Sequence, residues 1–412
     1  MRTILSCICL LIAITSFAQR ECASSSYIEQ QKSADPTFAN KINEIENFVR
    51  RQKTAAKENG QEAPNIITIP VVVHILYKTS AQNISDEQVK SQIDALNRDF
   101  RRQNADSINT PNRFKPFAAD VQVQFQLATA DPEGRVTTGI VRKATNISRW
   151  STDDKIKFTS QGGDDAWDSH YYLNFWIGDL ATLLGYSSIP GAAVEKDGVV
   201  INYTAFGTIN VGAPYNLGRT ATHEVGHWLG LKHIWGDSYC GDDLVDDTPK
   251  QGNFTSGCPD GFRSSCNNGD MGDMYMNYMD FTNDACMNLF TAGQKQRMLS
   301  LFAPGGPRNS LLSSKGLYQA WVAESPVETS LTNSAFNFYP NPTSGVMVLN
   351  FDYNADWIGK IVSIVNINGE TVSRWQISSK TQKINLSQLK AGMYFIQAEN
   401  GNQKLRAKFI KL

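Results

Sequence analysis

The stretch 223-HEVGHWLGLKH-233 carries three of the chain's five histidines. On a helix, residues four apart share a face, so His223 and His227 point at one place and Glu224 lies on a neighbouring azimuth. A third imidazole, His233, has to arrive from another direction. Gly230 lets the helix end and the chain turn, because glycine tolerates the left-handed backbone that such a turn needs. Three histidines and one position left to water describe a catalytic zinc site, since structural sites are closed by four protein ligands. Zinc there lowers the pKa of its water to about 7 and polarises a carbonyl, which makes Glu224 the candidate general base for peptide-bond hydrolysis without a covalent intermediate. The remaining histidines, His74 and His170, are expected to be structural.

Outward from this stretch, 412 residues suffice for two or three domains, and 41% apolar with 19% charged residues is ordinary for a globular chain. Thirty-nine basic residues nearly cancel forty acidic ones, so no nucleic-acid or membrane-surface partner is expected. The opening MRTILSCICLLIAITSFAQR has a basic residue, an apolar run from Ile4 to Ile14 and small residues up to Ala18. The run is shorter than the ~20 residues a membrane span requires. It reads as a signal peptide over 1–18, giving an exported chain with no stable membrane span.

Cys7 and Cys9 leave with the signal. Cys240, Cys258, Cys266 and Cys286 cluster after the histidines, and in an oxidising compartment they form two disulfides, with three pairings open. Cys22 is the odd one. It is a stray thiol, an intermolecular link, or a thiolate able to fill an open zinc position.

Residues 19–60 are polar and read as a pro-segment with one helix around Ile42–Val49, a leader rather than part of the core. Removal is expected within NFVRRQKTAAKENGQEAP, residues 47–64. Residues 61–322 form the catalytic body. NIITIPVVVHILYK reads as a strand buried on both faces. ISDEQVKSQIDALNRDFRR reads as a helix with a Ser85–Gln88 capping box and Val89, Ile93, Leu96 and Phe100 on one face. VQVQFQLA, YLNFWIGDL and GVVINYTAF read as further strands. The fold class expected is α/β (α+β), a mixed twisted sheet with an active-site helix. A linker at 323–334 leads to 335–412, where short alternating strands broken at Asn368–Gly369 and Asn400–Gly401 predict a small all-β sandwich.

HExxHxxGxxH resembles the metzincin zinc metallopeptidases. Within them the chain is similar to the pappalysin family over about Ile66 to Ala303, on the blocks HEVGHWLGLKHIWGD, DDLVDDTP and NYMDFTNDACMNLFT. The resemblance implies that Met279 is the turn methionine beneath the zinc and that Cys240 pairs with Cys266 and Cys258 with Cys286. It implies a structural calcium at Asp243, Asp246, Asp247 and Thr248, oxygen ligands of the kind calcium takes, where the bland reading is a solvated acidic loop. LLGYSSIPG resembles the edge strand that pairs with an extended substrate. A leader cysteine, here Cys22, fills the open zinc position in some relatives and keeps the chain a latent zymogen.

Two positions depart from the family. Phe281 stands where many relatives have a tyrosine that assists the carbonyl. Ala285, beside Asp284, stands where relatives cutting next to Arg or Lys have an acidic residue. The tail resembles the sorting domain of the type IX secretion system, on FNFYPNPTSG, VNINGETV, INLSQLKAGMYFIQA and KFIKL. The partners implied are protein or peptide substrates and the secretion machinery, and the location is secreted or attached to the cell surface. The competing reading is a non-enzymatic secreted binder that keeps zinc for structure.

Overall fold

The computed structural model describes residues 22–59, 66–320, 337–351, 357–400 and 403–412. The signal peptide and the linker lie outside the described residues. The chain divides into two compact units, Met1–Val322 and Ala323–Leu412.

In the first unit, β1 (Ile67–Tyr77) is buried along almost its whole length, as its β-branched run predicts. Val71, Val73 and Ile75 belong to the large core, while Leu76 joins a smaller one that also contains Trp176 and Tyr186. Beside β1 lie β2 (Val123–Leu127), β3 (Ile140–Ala144) and β4 (Leu173–Gly178), all parallel to it. The sheet continues through β6 (Val199–Asn202) to the antiparallel edge strand β5 (Gly185–Ser187), in the order β2-β1-β4-β6-β5.

Helix α3 (Asp86–Phe100) buries Val89, Ile93, Leu96 and Phe100 in the large core. Its capping box is only half formed. The Ser85 hydroxyl accepts from Gln88 N at 3.2 Å, but the Gln88 side chain donates to the Phe206 carbonyl at 2.9 Å instead of reaching back. The Gln88 side chain is drawn to that buried carbonyl, so its oxygen does not turn back to accept from the Ser85 N–H. The large core also takes in α4 (Arg219–Trp228) and Met298 of α5 (Ala292–Ser300).

The leader differs most from expectation. It forms two helices, α1 (Ser24–Ala34) and α2 (Pro36–Asn59), in place of one short one. Ala23, Tyr27, Phe38 and Val49 are buried, so it is part of the packed unit. Phe38, Ile42, Ile45 and Val49 do recur at helical spacing, but the polar residues around them hide how far the helix extends, and contacts to the catalytic body help to hold it. Glu46 pairs with Arg297, and Lys53 with Asp246 at 2.7 Å.

The second unit has a four-stranded sheet, β10-β9-β12-β13, and a three-stranded sheet, β11-β8-β7. These strands are β7 (Asn337–Tyr339), β8 (Val346–Asn350), β9 (Ile361–Asn366), β10 (Thr371–Gln376), β11 (Thr381–Asn385), β12 (Gly392–Asn400) and β13 (Gln403–Lys411). Met347, Leu349, Trp357, Ile364, Ile384, Ile396 and Phe409 supply the core of this sandwich. Asn368–Gly369 turns β9 into β10, with Gly369 at φ 82°, a conformation that suits glycine. Gly401 lies outside the described residues. Among the described residues no helix is long and apolar enough to cross a membrane.

Candidate active site

Every residue of α4 is buried. Its start lacks a side-chain cap, and Asp284 substitutes by accepting from Leu217 N at 2.8 Å and Arg219 N at 3.3 Å. Asp284 is therefore committed to the helix start, while its neighbour Ala285 is exposed. A second buried carboxylate, Asp99 of α3, accepts from Thr222 Oγ1 at 2.8 Å and Tyr278 OH at 2.9 Å, locking α4 to α3 and to the segment beneath it.

The helix ends as its sequence predicts. Gly230 has φ 81°, Gly230 N donates to His227 O at 2.8 Å, and Leu231 N donates to Gly226 O at 2.9 Å. This pair of bonds satisfies the last carbonyls and reverses the chain. Gly226 has a different purpose. A Cβ there would lie 2.4 Å from Met279 Sδ, so only glycine lets the buried methionine approach the helix.

Each imidazole is held from behind by an atom that can only accept. His223 Nδ1 donates to Tyr278 O at 2.7 Å, His227 Nδ1 to Leu231 O at 2.9 Å, and His233 Nδ1 to Asp237 Oδ1 at 2.5 Å. The protons therefore sit on Nδ1, and the three Nε2 atoms carry lone pairs. Those lone pairs converge, with His227 Nε2 3.1 Å from the Nε2 atoms of both His223 and His233. Three unprotonated nitrogens at that separation repel unless a cation lies between them. Ligands at the 2.0–2.1 Å of a tetrahedral zinc site would be about 3.3 Å apart. Burial, with His233 adjacent, lowers the His227 pKa to about 4, which keeps that ring neutral and fit to ligate. Burial works against ionisation of Asp237, but the hydrogen bonds from His233 and Ser25 hold its carboxyl well below the usual carboxylate range.

Cys22 completes the group. Its Sγ and the three histidine nitrogens lie within 4.8 Å of one another, the one group of three or more His, Cys, Asp or Glu side chains among the described residues placed to hold a metal. Burial pushes the Cys22 thiol well up, and the Glu224 charge adds to the rise. A thiol buried here ionises only beside a cation, which a metal held by the three imidazoles would supply. The leader reaches the site along the edge strand. Cys22 bridges Gly185, Ala23 N donates to Gly185 O at 3.0 Å, and Ser24 Oγ accepts from Ser187 N at 2.9 Å. Ser24 Oγ in turn donates to Glu224 Oε2 at 2.7 Å, and Ser25 Oγ to Asp237 Oδ1 at 2.7 Å.

Phe281 borders the cluster, its ring centroid 5.6 Å from His223 and 4.9 Å from His233. Trp235 stacks on His233 at 4.3 Å, almost parallel. Below the cleft, disulfides join Cys240 to Cys266 and Cys258 to Cys286.

The four acidic-loop residues do not come together. Asp246 pairs with Lys53, and Asp247 accepts from Thr291 Oγ1 at 2.6 Å and Gly293 N at 2.8 Å. Only Asp243 and Thr248 share a site: Thr248 Oγ1 lies 2.9 and 2.8 Å from the two Asp243 carboxylate oxygens and 2.9 Å from the Val245 carbonyl. Asp237, Ser24 and Asp99 were not singled out from the sequence. The four-residue step from His233 to Asp237 is the one signal that pointed to any of them.

Known proteins place this geometry. A family model described as Pregnancy-associated plasma protein-A matches residues 157–303, and one described as Secretion system C-terminal sorting domain matches 337–412. A glutamate-to-alanine mutant of promirolysin from Tannerella forsythia is similar in structure, with a TM-score of 0.66 and 44% identity over 71% of this chain and 97% of that one. Mature mirolysin from the same organism, in complex with a cleaved peptide, gives 0.60 and 49% over 61% and 97%. An extracellular metalloprotease of Pyricularia oryzae is 34% identical over 265 residues, 62% of this chain and 82% of the relative.

Proposed function

The chain belongs to the Pregnancy-associated plasma protein-A (pappalysin) family of metallopeptidases, and from that premise we propose how its own residues carry out the reaction and restrain it. It is a metalloendopeptidase, secreted or attached to the cell surface, with a type IX sorting domain at its C-terminus. The metal of our reading is zinc, held by the Nε2 atoms of His223, His227 and His233. The single observation behind this is the convergence of three imidazoles whose Nδ1 atoms are all tied to acceptors.

When bound, zinc acidifies a water and polarises the scissile carbonyl. Glu224 takes the proton and passes it to the departing amine. Tyr278, Leu231 and Asp237 keep the three rings in the ligating tautomer. Phe281 has no hydroxyl to donate to the carbonyl, and its ring excludes water beside His223 and His233.

In the leader-bound chain Cys22 Sγ, beside the three imidazole nitrogens, would hold the metal together with them. Ser24 occupies Glu224 and an amide of the edge strand that an extended substrate would use. Latency thus rests on one ligand and a few hydrogen bonds, and it ends when the leader is cut away.

Calcium is a second metal of this reading, at Asp243, Val245 O and Thr248. One hydroxyl proton cannot serve three acceptors, whereas calcium takes all four oxygens. Asp246 and Asp247 have other partners and are left out of this site.

The test is cleavage of a protein substrate by the matured enzyme. Activity lost to a chelator, restored by zinc and strongly reduced in Glu224→Ala is expected. Chelator-insensitive cleavage, or full activity in Glu224→Ala, would refute the assignment.

A further inference from the structure

Among the leader's buried side chains, Tyr27 enters a pocket that has no part in the chemistry above. Tyr27 is 1% exposed. Its ring lies against Tyr186 of the edge strand, centroids 4.9 Å apart, in a cluster with Leu76, Trp150 and Trp176. At the far end its hydroxyl donates to Asp154 Oδ1 at 2.7 Å and accepts from Lys157 Nζ at 3.0 Å. Burial pushes the phenol pKa up, with the Asp154 charge adding, so the hydroxyl keeps its proton and remains a donor.

The floor of this pocket does not depend on the leader. Lys157 pairs with Asp154 at 2.9 Å and donates to the Lys196 carbonyl at 2.8 Å, all within the catalytic body. With the leader gone, an aromatic slot would end in Asp154 and Lys157, still paired with each other and with Lys196 Nζ 3.3 Å from Asp154, each keeping one open hydrogen-bonding position where the phenol had been. A phenol meets both and a phenyl ring meets neither, and a site built around a hydroxyl discriminates strongly against the analogue that lacks it. The slot also adjoins the cleft. Tyr27 N donates to Ala23 O at 2.8 Å, one helical turn from the residue that pairs with Gly185, and Tyr186 is itself an edge-strand residue.

We propose that this slot, formed by Trp176, Tyr186, Asp154 and Lys157, is a recognition site for a tyrosine side chain of protein substrates, which the leader's Tyr27 occupies until maturation. The proposal rests on the reading of the leader as a removable inhibitor. A substrate held on the edge strand places a tyrosine in the slot at one fixed distance from the cut.

The direct test uses the matured chain stripped of metal, so that it is independent of catalysis. N-acetyl-tyrosinamide is titrated and followed by ligand-observed NMR. It is expected to bind at least about tenfold more tightly than N-acetyl-phenylalaninamide. A synthetic peptide of residues 22–34 is expected to displace it, and the same peptide carrying Tyr27→Ala is not. Equal binding of the two amides, or failure of the leader peptide to displace, overturns the proposal. In the metal-loaded enzyme, peptides that move a tyrosine through successive positions should show faster cleavage at one position, and indifference at every position would also overturn it. Failure to cleave any peptide would instead count against the peptidase mechanism, which the binding measurement does not use.

Discussion

Two segments meet at the metal cluster, and they are held there by different means. Helix α4 arrives from within. All of its residues are buried, its two histidines are oriented by carbonyls of the catalytic body itself, and His233 beyond it by a carboxylate. The leader arrives from outside, held by hydrogen bonds from Ser24, Ser25 and Tyr27, by the Glu46–Arg297 pair and by Cys22. Removing the leader leaves the bonds to Tyr278 O, Leu231 O and Asp237 in place. The ligands are therefore preorganised without the leader, and the leader can inhibit without being needed for the site to exist.

The contrast can be broken most forcefully on the α4 side. Glu224→Ala should lower kcat/KM by about 10²–10⁴-fold, the usual weight of a general base, while bound metal and melting temperature stay near wild type. Loss of metal in that variant would show Glu224 to be part of the framework. On the leader side, Cys22→Ala in the full chain should speed self-processing about tenfold or more, since even 1.4 kcal/mol of lost bonding is a tenfold shift. Unchanged processing would mean that hydrogen bonds alone maintain latency.

The acidic loop offers a sharper, smaller test. Burial and the nearby Asp242 raise the Asp243 pKa to about 7, despite hydrogen bonds from Thr248 and Val245 N. In the cation-free chain the folded state holds this proton above the pH at which the unfolded chain releases it. Stability therefore falls as pH rises from about 4 to about 7, and the penalty persists above that. Calcium relieves the penalty, so it should raise the melting temperature by a few degrees more at pH 8 than at pH 5. An equal gain at both pH values would remove calcium from Asp243. The smallest effect is expected for Glu46→Ala. It removes a partly exposed pair worth about 0–1 kcal/mol, speeding amide exchange in α2 while leaving the metal bound. Metal loss would mean that α2 supports the cluster.

The reach of the sequence follows the same division. His223, Glu224, His227 and Gly230 were legible because their geometry is local to one helix and its end. The buried β1 was legible from its β-branched run. The packing of the leader was not, because Tyr27 is buried in a cluster with Trp150, Trp176 and Tyr186, all more than a hundred positions away, and no pattern within the segment records that. Asp99 was hidden for the same reason, its partners Thr222 and Tyr278 being 123 and 179 residues distant. In the acidic loop, adjacency in sequence misled. Consecutive Asp246 and Asp247 have separate partners, leaving only Asp243 and Thr248 together.

The most direct test of the account is zinc-edge X-ray absorption on the full chain and on the chain after leader removal. The account predicts one sulfur ligand at about 2.3 Å beside nitrogens at about 2.0–2.1 Å in the full chain, with the sulfur replaced by oxygen after maturation. The same sulfur-free shell in both samples, or no zinc in either, would contradict it.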